Sequence, residues 1–211
     1  MRVLACVAIA GLLPTLALCC SNFLVSKGAT GDASTHVAYN SDGQSFYGYM
    51  TSLPRQGAAA PRERKIYEFG TGVYMGSIPE AERTYNVIGN MNEKQVSIGE
   101  TTFDGLPSLA NQPKAIIDYY SLMWLALQRS ATAREAIMTM DALTAAHGYA
   151  STGESFSIAD PNEVRPLKKS PFSCHPSYSQ LRQGILCCAR ARACALRRVG
   201  VAHGLHWQGA R

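Results

Sequence analysis

The chain has 211 residues, 46% of them hydrophobic, which is enough for one folded unit and too few for two large domains. Residues 20–163 hold 10 Lys and Arg against 15 Asp and Glu, a net charge of −5, whereas residues 164–211 hold 9 basic residues and no acidic one. The overall charge of +5 therefore comes from the end of the chain. Because the body is acidic, we expect no nucleic-acid partner.

The N-terminus has the pattern of a signal peptide over residues 1–19. Arg2 is followed by an apolar run that ends at Leu18, and the small residues Ala17 and Cys19 suit the positions three and one before a cleavage site. The run is shorter than the about 20 apolar residues that span a bilayer, so we expect no stable membrane insertion. We predict entry into the secretory pathway and a secreted or lysosome-like location. The alternative is a buried N-terminal helix.

The first half of the body has the patterns of a sheet. Strands are predicted over Ser21–Val25 and Thr35–Asn40, because polar and apolar residues alternate there. Pro, Gly and Ala residues predict an exposed loop over Leu53–Arg64. Further strands are predicted for the segments KIYEF, TYNVIG and QVSIGETTF.

Two helices are predicted after Pro113. Apolar residues recur at steps of three and four from Ile116 to Leu127, which is typical of a helix with one buried face. Thr132 followed by Glu135 forms a capping box at the start of the second helix, and Gly148 is placed to end it. The segment SFSIAD then predicts a return to strand, an order that suits helices layered on a sheet.

The segment over residues 165–211 differs in composition from the body, and we expect it to be an irregular, atypical tail. Two origins are open: an Arg-rich binding extension, or a product of altered splicing or reading frame, which we favour. As an extension it could bind anionic partners through a group of arginines: Arg190, Arg192, Arg197 and Arg198. A zinc site is the less favoured alternative, since no Cys-x-x-Cys pair occurs among Cys174, His175, Cys187, Cys188, Cys194, His203 and His206.

Cys20 would become the first residue after cleavage of the leader. A thiol is already a good nucleophile at neutral pH, and it needs a base and an oxyanion site to attack a carbonyl. The α-amine of an N-terminal residue can act as that base. The sequence therefore places the nucleophile and the base on one residue. The alternative is a disulfide-bonded or merely small apolar cysteine.

A series of motifs resembles a known family. The segments CCSNFLVSKGATGDAST, AYNSDG, TYNVIGNMNEKQVSIGETTFDG, TAREAI and GYASTGESFSIADPNE are similar to the secernin and dipeptidase-A type of cysteine peptidase. The resemblance covers about residues 20–164 and implies an N-terminal-nucleophile hydrolase, with Cys20 as nucleophile. It further implies an α+β fold, a four-layer αββα sandwich, and hydrolysis of dipeptides without a metal or other cofactor.

The resemblance also implies candidate site residues. Asp42 matches the aspartate of the family's Asn-x-Asp element, where a carboxylate would orient the amine of the nucleophile. Tyr39 stands where the more distant bile-salt hydrolases have arginine. On chemical grounds Asn92 could bind an oxyanion, and the carboxylate of Glu100, next to Thr101, could bind the ammonium of a dipeptide.

The resulting hypothesis is a cysteine-type dipeptidase that acts by acyl transfer, with dipeptides as partners and self-association left open. Family members continue past the point where this chain enters its tail. We therefore treat residues 20–164 as the N-terminal part of the catalytic domain, incomplete at its C-terminal end. The alternatives are a truncated, inactive homologue and a secreted protein that binds anionic partners through its tail.

Overall fold

The computed structural model describes residues 20–41, 50–57, 62–104, 112–170, 173–176 and 185–188, with side chains up to Leu167 apart from Asp104. The predicted signal peptide lies outside these ranges. The described strands are, in chain order, β1 (Ser21–Val25), β2 (His36–Asn40), β3 (Ser52–Leu53), β4 (Glu63–Tyr67), β5 (Tyr74–Pro79), β6 (Val87–Ile88), β7 (Met91–Asn92), β8 (Ser97–Asp104), β9 (Gly153–Ala159), β10 (Val164–Ser170), β11 (Ser173–Pro176) and β12 (Ile185–Cys188). The described helices are a 3-10 turn (Lys27–Ala29), α1 (Tyr119–Arg129) and α2 (Ala133–His147).

The described strands form three antiparallel sheets. The largest has the order β11-β10-β9-β8-β7-β6-β3, the second has the order β12-β1-β2, and β4 and β5 form a separate hairpin. Every strand pair is antiparallel, and the two helices follow each other between β8 and β9. The protein therefore has an α+β fold, as the sequence predicts.

The main core lies between the two helices and one face of the large sheet. Side chains alternate between the two faces of a strand, and Ile98 of β8 and Ile158 of β9 point into this core. From the helices, Leu122 and Met140 pack against them and are fully buried. Each such side chain contributes about 1.5–3 kcal/mol through burial, so this layer dominates the stability of the described part.

The opposite face of the large sheet carries the three-stranded sheet. Leu24 of β1 packs against Ala159 and Val164, which lie on strands of the large sheet. The three-stranded sheet comes close to β8 at Gly99, where a side chain would not fit. A Cβ on Gly99 would lie 2.6 Å from Asn22 Oδ1 and 3.0 Å from Tyr39 Cβ. The helices and the three-stranded sheet thus cover the two faces of one sheet. The four-layer αββα arrangement stays a prediction.

The helix ends follow local signals. The predicted cap of α2 is confirmed, because Thr132 Oγ1 accepts from Glu135 N at 3.2 Å, and Gly148, with φ 72°, follows the last turn. The first helix begins later than its apolar pattern suggests. Asp118 caps it by accepting from Ser121 N at 2.9 Å, while Ile117 before it pairs with Tyr149 in a β-bridge. The apolar pattern therefore begins at Ile116, before the helix itself begins at Tyr119.

The predicted strand TYNVIG is shorter in the structure. Only Val87–Ile88 is strand, because the backbone N–H groups of Thr84 and Tyr85 bind the carbonyls of Gln56 and Gln128 at 3.0 and 2.8 Å. Gln56 lies in a loop and Gln128 in the last turn of α1, so these N–H groups do not pair with a strand. The predicted loop over Leu53–Arg64 is flanked by β3 and β4, and residues 58–61 of it lie outside the described ranges.

Within the predicted irregular tail from residue 165, the described residues 165–170, 173–176 and 185–188 form strands. β10 runs through that boundary and pairs with β9 and β11, and β12 pairs with β1 from Asn22↔Cys188 to Val25↔Ile185. The physical reason is that a strand forms where a neighbouring strand is available for backbone hydrogen bonds, and the charge composition of a segment does not predict whether one is. Pro166 is tolerated because the pairing with β11 begins only at Leu167. Among the described residues, no helix is long and apolar enough to cross a bilayer.

Candidate functional site

Cys20 lies at the start of β1, the middle strand of the three-stranded sheet. Its side chain is partly exposed, and Sγ lies 3.7 Å from Glu100 Oε1 and 4.0 Å from Ser41 Oγ. Glu100 belongs to β8 of the large sheet, so the contact joins the two sheets at the point where the chain enters β1. The thiol therefore belongs to a partly exposed residue and has two polar groups next to it.

Glu100 provides a buried carboxylate next to this sulfur. Its side chain is 2% exposed, and Oε1 accepts from Tyr39 Oη at 2.5 Å as well as from Cys20 Sγ. The other oxygen, Oε2, is buried and receives no hydrogen bond from the described residues. The described ion pairs do not include Glu100 either. One carboxylate oxygen is therefore held, and the other is buried without a described donor.

Asn22 fixes β1 onto β8 beside the sulfur. It is fully buried, and its Nδ2 donates to the backbone oxygen of Glu100 at 2.6 Å and to Thr101 Oγ1. Sequence reasoning missed this residue. The signal was available in the alternation of β1, because Asn22 and Leu24 share the buried face, and a polar side chain on a buried face needs a partner.

Tyr39 serves as a neutral donor to the carboxylate. Burial raises its pKa far above the ordinary value of 10.0, and the charge of Glu100 and the hydrogen bond to it act in the same direction. The phenol therefore stays protonated throughout the neutral range. Where an arginine would add positive charge next to the sulfur, this chain provides only a hydroxyl group.

A second buried carboxylate lies on the neighbouring strand. Glu154 of β9 is 1% exposed and accepts from Thr102 Oγ1 at 2.9 Å. Burial raises the pKa of Tyr119 and of Tyr149, and both Glu100 and Glu154 contribute to the shift by their charge. Two acidic side chains thus act on the same pair of phenols.

The other predicted site residues have different positions. Both N–H groups of the Asn92 amide are used, since Nδ2 donates to the carbonyls of Leu127 and Ser130 at 2.7 Å each. The amide fastens β7 to the end of α1 and has no donor left for an oxyanion. Thr101 does lie at the site, but its hydroxyl donates to the carbonyl of Glu100 at 2.9 Å. Asp42 lies outside the described residues.

The described part of the chain has no group of three His, Cys, Asp or Glu side chains that could hold a metal ion. The cysteines and histidines considered for a zinc site have no described side chains, and the arginines considered for anion binding lie outside the described ranges. Both alternatives for the tail stay open predictions.

The comparison with protein families gives the context of this site. The family model of peptidase family C69 matches residues 19–168, which begins one residue before Cys20 and extends into β10. No curated protein matches the chain. The matched segment contains Cys20, β1, β2 and β8, whereas β12 lies beyond it, and the family consists of cysteine peptidases of the dipeptidase-A and secernin type. The chain therefore belongs to peptidase family C69.

Proposed function

We propose that the protein is a dipeptidase whose nucleophile is Cys20, exposed as the N-terminal residue when residues 1–19 are removed in the secretory pathway. The observation that carries the proposal is the position of the Cys20 sulfur: it lies at the start of a strand, partly exposed, with a buried carboxylate 3.7 Å away. Membership of a cysteine peptidase family supports the reaction type. The family's N-terminal-nucleophile chemistry and its four-layer sandwich are part of the same proposal.

The reaction is acyl transfer in two steps. The α-amine of Cys20 takes the proton of the thiol, Sγ forms a bond to the peptide carbonyl carbon, and the proton passes to the departing amine as the C–N bond breaks. Water then attacks the thioester, which releases the first amino acid and restores the thiol. Because the amine is part of the nucleophilic residue, its distance to the sulfur is set by covalent geometry.

Processing and catalysis can be tested together. The full chain is expressed in secreting cells, the mature N-terminus is determined by mass spectrometry, and hydrolysis of alanyl-alanine is measured. We expect a chain that begins at Cys20. Cys20→Ala should reduce kcat by at least about 1,000-fold, because the covalent intermediate cannot form. Cys174→Ala is the matched control and should keep the wild-type rate.

Two results decide between this proposal and its alternatives. A mature chain that begins at another residue, or a Cys20→Ala variant that retains full turnover, would overturn the assignment. A folded, correctly processed protein without turnover would instead support the inactive homologue. Circular dichroism and thermal unfolding of each variant establish that it is folded.

A further inference from the structure

The starting observation is an available oxygen on a buried carboxylate beside the nucleophile. Glu100 Oε2 is buried without a hydrogen bond from the described residues, and the described ion pairs leave Glu100 out. An ionised group in such a place is costly unless a cation or donors compensate it. Glu154 adds a second buried carboxylate on the adjacent strand. This arrangement favours a positively charged ligand.

The position of Glu100 beside the sulfur brings a substrate cation close to it during the reaction. Oε1 lies 3.7 Å from the attacking sulfur. In a peptide with a free N-terminus, the α-nitrogen is separated from the carbonyl carbon by two bonds and lies about 2.5 Å from it. A carbonyl carbon in contact with Sγ therefore brings its own α-ammonium within reach of the carboxylate. An acetylated N-terminus has no charge to offer there.

We propose that the α-ammonium of the substrate, bound by Glu100, activates Cys20 by neutralising the carboxylate beside its sulfur. This inference rests on the proposed dipeptidase function. It also explains how a thiol beside Tyr39, rather than beside an arginine, becomes reactive.

The activation follows from charge. An ionised Glu100 disfavours a thiolate at Cys20, because two like charges would lie close together in a partly buried place. A substrate ammonium on Oε2 neutralises the carboxylate and removes that repulsion. The ammonium keeps its protons, and the thiol proton still passes to the amine of Cys20. Among the described residues, the titratable groups that interact with Glu100 are the thiol of Cys20 and the phenols of Tyr39, Tyr119 and Tyr149, and Glu154 lies on the neighbouring strand. Removal of residues 1–19 would add the α-amine of Cys20 to this group.

The first experiment compares a free and a blocked substrate. Wild-type protein should hydrolyse alanyl-alanine at least about 100-fold more efficiently, in kcat/KM, than N-acetyl-alanyl-alanine, because the blocked peptide leaves a buried charge unpaired. In Glu100→Gln this ratio should fall to within about tenfold. Glu93→Gln, which changes an exposed glutamate paired with Arg55, is the matched control and should keep the wild-type ratio.

The second experiment needs no turnover. The rate of alkylation of Cys20 by iodoacetamide is followed against pH, with the Cys20 peptide quantified by mass spectrometry. Glu100→Gln should move the midpoint to lower pH by about one pH unit, since the neutral amide no longer repels the thiolate. Tyr39→Phe keeps the carboxylate and removes its donor, so the midpoint should move to higher pH.

The outcomes separate the inference from the proposed function. If Cys20 is required for turnover but free and blocked peptides are hydrolysed equally well, the role of Glu100 is wrong and the dipeptidase assignment stands. If turnover does not require Cys20, the assignment itself fails. An alkylation midpoint that is the same in wild type and Glu100→Gln overturns the inference, and Tyr39→Phe provides that comparison if Glu100→Gln does not fold.

Discussion

Three side chains at the site converge on Glu100. Asn22 holds the backbone of Glu100, Tyr39 holds its carboxylate, and Cys20 contacts the same carboxylate oxygen. Asn22 follows Cys20 by two residues, so its hydrogen bonds anchor the backbone next to the nucleophile. The amide of Asn22 therefore connects local stability with the geometry of the nucleophile.

Asn22→Ala should destabilise the protein by about 1–3 kcal/mol, since the buried carbonyl of Glu100 and the hydroxyl of Thr101 each lose a donor. The free energy of unfolding is measured by chemical denaturation. Asn162→Ala is the control, because that side chain is exposed and its described hydrogen bond is one that it accepts from Lys27 Nζ. A change within about 0.5 kcal/mol is expected. Equal effects of the two substitutions would contradict the role of Asn22.

At the scale of elements, α2 shows how short-range signals determine a helix. Thr132 accepts from Glu135 N, and Glu135 Oε2 accepts from Ala131 N at 2.7 Å, so the capping box closes one residue earlier than its usual form. Gly148 donates its N–H to the carbonyl of Thr144 at the other end. These contacts span only a few residues, which explains why the sequence alone predicted both ends of the helix.

Thr132→Ala should lower the free energy of unfolding by about 0.5–2 kcal/mol, because a backbone N–H in the first turn loses its acceptor. Thr132→Ser keeps a hydroxyl at the cap and should retain most of the stability. Thermal or chemical unfolding of the three proteins provides the comparison. If Thr132→Ser were as destabilising as Thr132→Ala, packing of the methyl group, and not capping, would be the cause.

At the scale of the whole molecule, the strand that begins after Cys20 has neighbours on both sides. β2 pairs with one edge of β1, and β12, far along the chain, pairs with the other. A strand with an unpaired edge exposes a row of backbone N–H and C=O groups to solvent. The pairing with β12 thus stabilises the strand that positions the nucleophile, although it comes from the segment whose composition is atypical.

Two truncations test this pairing. Removal of residues 177–211 deletes β12, and we expect faster hydrogen exchange of the backbone amides of β1 together with a lower unfolding midpoint. Removal of residues 189–211 keeps β12 and should leave exchange in β1 unchanged. Exchange in β1 that is equally slow in both truncated proteins would show that β12 does not stabilise it.

The sequence by itself determined the features that depend on neighbouring residues and on recognisable motifs. The caps of α2, the alternating strands β1 and β8 and the family of the chain are of this kind. Contacts between residues far apart were decided only by the tertiary structure. Glu100 is 80 residues from Cys20, and Asn92 fastens a helix end 35 residues away instead of facing the nucleophile. Such contacts, like the pairing of β12 with β1, depend on which strands become neighbours, and no local pattern encodes that choice.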